Sequence, residues 1–309
     1  MNESKKLKRG LKSRHVTMIA IGGAIGTGLF LGSGSAIHSA GPSIILSYLI
    51  VGIITFFMMR ALGELILADP DSHSFLESIK KYLGKRAEFV AGWTYWACWL
   101  SLAMADLTAT GIYLRYWFPW LPQWVGSLVI VVLLMLINMV NVGLFGELES
   151  WFSMIKVIAI VALIVTGAVM IVLQTKVKGG TAADPHKAIP MNALMTSSTI
   201  LFVVVILNYV MPARIFDVVS TVSTICFVIV WIMIMAAHVV YRRQNKDNLG
   251  EFRMPGYPLT SWLTIAFYVA ILILLFFIES TKLALIISII FIVILATSYS
   301  FIKKNESIS

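Results

Sequence analysis

VTMIAIGGAIGTGLFLGSGSAI, residues 16–37, is the stretch on which the reading of the whole chain turns. It is apolar and long enough to cross a bilayer, which takes ~20 residues of helix. Yet six glycines lie between residues 22 and 34, with Thr27 and Ser33 among them. Each glycine weakens a helix by about 1 kcal/mol relative to alanine, and a lipid-facing anchor has no use for so many. Two readings fit. In the first, residues 22–28 break the helix, as transporters do to present half-helix amide ends and free carbonyls to a solute near the membrane midplane. In the second, Gly22/Gly26 and Gly28/Gly32 are GxxxG pairs that let neighbouring helices approach. The local sequence leaves both open.

The rest of the composition agrees with a membrane setting. Of 309 residues, 59% are hydrophobic and 13% charged, with a mean hydropathy of +0.89. A soluble domain is ~25% charged. The chain therefore reads as a polytopic all-α membrane protein. The net charge of +9 does not point to nucleic acid, because Lys and Arg cluster beside apolar segments, as the positive-inside rule expects. Cys98 and Cys226 each sit inside an apolar run and read as free, packed thiols. The basic N-terminus (Lys5, Lys6, Lys8, Arg9, Lys12, Arg14) precedes a retained first span, without a clear signal-peptide cleavage site.

Nine apolar segments have the length of helices: 16–37, 42–67, 89–117, 124–143, 151–174, 192–210, 215–241, 261–279 and 283–302. Between the second and third, Ser74 and Glu77 have capping-box spacing and open a short helix carrying Lys80 and Lys81, with Lys85 and Arg86 just beyond. That helix is expected on the cytoplasmic surface. Trp117, Trp120, Trp124 and Trp151 lie at span ends, the aromatic belt of a membrane protein.

Charge then tests the topology. With residues 1–15 cytoplasmic, the 68–88 loop is cytoplasmic too, and its basic residues agree. Carried onward through nine crossings, the basic loop 242–258 (Arg242, Arg243, Lys246, Arg253) and the tail Lys303 and Lys304 fall outside. The first half obeys the rule and the second half breaks it. An odd number of missing or non-spanning segments near 175–191 restores every later loop.

RHVTMIAIGGAIGTGLFLGSG, AGPSIILSYLIVG, MMRALGEL, GWTYWACW and GELESWFSMIKVIAIVALIV occur in that order. Together they resemble the bacterial amino-acid permeases of the amino acid–polyamine–organocation superfamily, and within it the D-serine/D-alanine/glycine transporter group. The resemblance implies about twelve helices in a LeuT-type bundle built as an inverted repeat of five helices. Residues 16–174 resemble the first repeat. TAADPHKAIP resembles the loop after the family's sixth helix, and 192–241 resembles its ninth and tenth helices, a remnant of the second repeat. The sixth, seventh and eighth helices have no counterpart. Seams are expected at Gly180/Thr181 and Pro190/Met191, with 242–260 a basic loop, 261–302 two peripheral C-terminal helices and 303–309 a tail.

The implied activity is proton-coupled uptake of small neutral amino acids (glycine, alanine, serine, D-forms included) across the plasma membrane, with the N-terminus cytoplasmic. The resemblance implies that the substrate carboxylate meets backbone amides at Gly26, Thr27 and Gly28, and helix-end amides favour an anion on physical grounds. It also implies a coupling role for Lys156 beside the first-helix break. The competing role is a lysine whose ammonium snorkels to the interface.

Asp106 lies deep in the third span, where a carboxylate suggests proton relay, amine recognition or a buried structural hydrogen bond. Glu64 sits near a span end. Glu147 and Glu149 suit the N-terminal dipole of the fifth helix. His38, His73, His186 and His238 are scattered without ligand spacing, so neither a metal nor a cofactor is expected, and no nucleophile–base pair suggests an enzyme. The missing helices leave two alternatives to transport: an inactive permease remnant, or an interaction protein that modulates an intact permease.

Overall fold

The computed structural model describes residues 25–70, 74–140, 153–162, 215–246 and 250–306, with a few isolated positions beside them, Gly22, Gly23 and Ser72 included. The expected segment 192–210 and the seams around 175–191 fall outside these residues. All regular structure among the described residues is helical. The helices are α1 (Ser33–Ala40), α2 (Ile44–Ala68), α3 (Phe75–Leu83), α4 (Lys85–Trp117), α5 (Gln123–Val140), α6 (Ser153–Ala162), α7 (Ile215–Gln244), α8 (Leu259–Phe277) and α9 (Glu279–Glu306). A π-helical turn, Gly28–Gly32, leads into α1. Gly41, at φ +56°, ends α1 in a left-handed conformation that glycine adopts without steric cost, and Pro42 opens the 3-10 turn before α2.

Five stretches are long and apolar enough to cross a membrane: Ala36–Ala68, Lys85–Trp117, Phe216–Gln244, Leu259–Phe277 and Glu279–Ser300. The chain is a multi-pass helical membrane protein. It divides into two compact units, one of Met1–Ser39 with Asp106–Pro212, the other of Ala40–Ala105 with Ala213–Ser309.

The second unit has a continuous core. Ile54 and Met58 of α2 share a cluster with Val228 and Met235 of α7, and further along Leu65 shares one with Ala237 and Tyr241. Glu64, near the end of α2, bonds His238 and Arg242, near the end of α7, so the two helices run parallel. They end at the same side of the unit. If all nine apolar segments crossed, α2 and α7, as the second and seventh, would end on opposite sides. Loop 242–258 lies at the same end as loop 68–88, where its charges belong together.

Ser74 caps α3 as expected, its Oγ accepting the Leu76 N–H at 3.3 Å. The helix is not a free surface helix, however. Ile79 is fully buried in the α2–α7 cluster, so the apolar side of α3 is covered by protein, while its basic side stays exposed. A hydrogen bond from Lys81 to Asp69 (2.6 Å) holds that ammonium's pKa above the ordinary lysine range. Cys98 and Cys226 are free, buried and part of the same core.

Candidate functional site

The site lies in the first unit, where the glycine-rich stretch departs from helix. Gly22 and Gly23 are helical, Ile25 bends, Gly26 has no regular structure, and the chain re-enters a helix at Thr27. In an unbroken helix the Gly22 carbonyl would accept the N–H of residue 26. Here it accepts Ile25 N–H at 3.2 Å and the Lys156 ammonium, Nζ to O, at 3.2 Å. Leu29 N–H turns back to the Gly26 carbonyl at 3.1 Å. The π-turn that follows is a form of helix concentrated at functional sites.

Ser153 and Lys156 are three apart on α6 and so share a face. Ser153 packs so tightly on Gly22 that a Cβ there would overlap its side chain and stand 2.9 Å from its Cα. A close approach of this kind needs glycine, and it brings Lys156 to the break. Gly26 and Gly28 differ: a Cβ on either would meet nothing within 4 Å. Of the two readings left open, packing accounts for Gly22, while Gly26 and Gly28 stand at a break with space beside it.

Thr27 precedes the π-turn, yet its side chain makes no capping bond. Its hydroxyl donates instead to Asp106 Oδ1 at 2.7 Å. The Thr27 side chain therefore caps none of the amides that open the turn, and of these Leu29 N–H is met by the Gly26 carbonyl. The backbone at Asp106 is held by its own helix and by α5: Thr110 donates to the Asp106 carbonyl (2.8 Å), and Ser127 of α5 to the Leu107 carbonyl (3.1 Å). Gly26, Thr27, Gly28, Asp106 and Lys156 are therefore gathered about the break, through the Thr27–Asp106 and Lys156–Gly22 bonds.

The second unit holds a constellation that the sequence did not single out as a group. Glu64 is 2% exposed, His238 0% and Arg242 7%. Glu64 Oε2 accepts from Met254 N–H (2.7 Å), His238 Nε2 (3.0 Å) and Arg242 Nη2 (3.0 Å). Arg242 Nε stands 2.6 Å from Glu64 Oε1, an ion contact whose angle falls outside hydrogen-bond geometry. His238 Nδ1 meets Ser261 Oγ at 3.4 Å. The Ser–His–Glu order mimics a hydrolytic triad, but all three are sealed from solvent, so it is a structural knot. It joins α2, α7 and the 250–258 loop.

Comparison with known proteins separates this fold from look-alikes. The family model for amino acid permeases matches residues 15–183 and again 181–307. The chain belongs to the amino acid permease family. The amino-acid permease AapA of Bacillus subtilis is 34% identical over 440 aligned positions, spanning 96% of this chain and 95% of that protein. The D-serine/D-alanine/glycine transporter of Escherichia coli K12 is 31% identical over 448, spanning 97% and 95%. The aromatic amino acid transport protein AroP of the same strain is 54% identical over 162, covering 52% of this permease and 35% of AroP. These relatives are transporters and permeases, not enzymes. No solved structure matches. Since 96% of 309 residues is about 297, about 143 of the 440 positions aligned with AapA have no residue in this permease. The two family matches meet at residues 181–183.

Proposed function

We propose that this permease takes up small neutral amino acids, glycine, alanine and serine with their D-forms, together with protons across the plasma membrane, its N-terminus cytoplasmic. The observation that carries the proposal is the break at Ile25 and Gly26 with open space beside Gly26 and Gly28. The amides of Gly26, Thr27 and Gly28 receive the substrate carboxylate. A helix N-terminus carries roughly half a positive charge, which suits an anion. Lys156, bonded to the Gly22 carbonyl at the break, supplies the coupling charge. The similarity to a D-serine/D-alanine/glycine transporter over most of the chain supports the substrate class. The higher but shorter similarity to AroP makes aromatic amino acids the competing class.

The test is uptake of labelled glycine, D-alanine, D-serine and phenylalanine into vesicles holding the folded protein. Uptake above empty vesicles that is driven by an inward proton gradient, and lost in Lys156→Ala but kept in Lys85→Ala, is the expected result. Equal effects of the two lysine substitutions would remove the coupling role. The positions without counterpart favour two other readings, a transport-inactive remnant, or an interaction protein that modulates an intact permease. In either case uptake stays at the background, and in the second the chain co-purifies with a full-length permease.

A further inference from the structure

We infer that Asp106 receives the α-ammonium of the substrate, so that this one unit holds both charged ends of an α-amino acid. The inference rests on the carboxylate site proposed above and extends it to the other end of the molecule.

Asp106 Oδ1 is 2.7 Å from the Thr27 hydroxyl, and Thr27 is the middle residue of the three proposed above to receive the carboxylate. The second carboxylate oxygen has no hydrogen-bond donor among the described residues. Lys156 is directed to the Gly22 carbonyl and forms no ion pair with Asp106 among the described residues. A carboxylate at membrane depth is costly unless a cation or donors meet it. Asp106 is only partly satisfied, by one hydroxyl. What the site lacks is a cation that arrives from outside. Tyr113 is a second unfilled group on the same face of α4: it is 2% exposed, and its hydroxyl has no partner among the described residues.

The geometry also sets a length. In an α-amino acid one carbon separates carboxylate and ammonium. Asp106 is tied to the middle of those three residues by a single hydroxyl contact of 2.7 Å, so the inferred pose has room for a short spacer only. A β-amino acid places its ammonium one methylene too far, and a carboxylic acid without the amine leaves Asp106 unmet. A charge-assisted bond of this kind corresponds to ~10–100-fold in affinity.

The experiment uses the full chain in lipid nanodiscs and follows displacement of labelled alanine, and the ligand-induced rise in melting temperature, by L-alanine, β-alanine and propionate. Wild type should bind alanine ~10–100-fold more tightly than β-alanine or propionate. Asp106→Asn keeps an acceptor for Thr27 and removes the charge. It should bring alanine down to the propionate level and leave propionate within about twofold of wild type. Asp106→Glu keeps the charge and should retain a clear preference for alanine over propionate. Equal weakening of alanine and propionate in Asp106→Asn, or a Glu variant without preference, overturns the inference, because Asp106 would then act only by holding Thr27. A wild-type protein that is folded and binds none of the three removes the carboxylate site itself, a separate outcome.

Discussion

Glu64 is the residue whose loss the second unit should feel most. Its carboxylate is 2% exposed and meets the Met254 amide, the His238 ring and the Arg242 guanidinium. Glu64→Ala leaves Arg242 buried at 7% exposure without its counter-charge. Removing one partner of a buried pair costs ~3–5 kcal/mol, and the orphaned Met254 N–H adds to the same loss. At ~2–4 °C per kcal/mol for a chain of this size, the melting midpoint should fall by roughly 10 °C or more. Cys98 and Cys226 make the assay direct, because both thiols are buried in the core of the same unit. A thiol-reactive fluorophore stays dark until that core opens. Arg242→Met added to Glu64→Ala should recover part of the loss, since an apolar pair replaces an unmatched charge. A single-variant shift below about 2 °C, or a double variant as unstable as the sum of the singles, would refute the buried knot.

Two glycines should separate packing from binding: Gly22→Val drives a side chain into Ser153 and should cost ~1–3 kcal/mol of stability. Gly26→Ala meets no neighbour, so it should leave the melting midpoint nearly unchanged while lowering amino-acid affinity, and equal melting of the two variants would contradict that division. Single cysteines at Lys81 and Lys246, both exposed, should react with a membrane-impermeant maleimide from the same side of sealed vesicles, since α3 and the end of α7 share one end of the unit. Labelling from opposite sides would break the parallel pairing of α2 and α7.

The first-helix break was legible because glycine, threonine and serine in an apolar span contradict the needs of a lipid anchor. What those glycines do individually was not legible, since the Gly22 contact depends on Ser153, 131 residues away. Thr27, Asp106 and Lys156 were each noticeable alone, an intramembrane charge or hydroxyl being costly. Their convergence needed the fold. Glu64 looked like an ordinary acid near a span end, because its partners lie 174–190 residues along the chain. Local charge patterning placed α3 at the surface, correctly for its lysines, but its periodic apolar side had a protein partner that hydropathy does not reveal. Parity of the basic loops carried the most long-range information, because the sidedness of every loop depends on each crossing before it.

The knot at Glu64 also sets a problem of timing during synthesis. Arg242 leaves the ribosome 178 residues after Glu64, a wait of roughly 10–35 s at ~5–20 residues per second. Through that interval Glu64 sits in a newly inserted helix without its partners. Glu64 lies four residues short of the helix end at Ala68, about 6 Å of rise. That depth lets water solvate it until the late-made guanidinium arrives and expels the solvent.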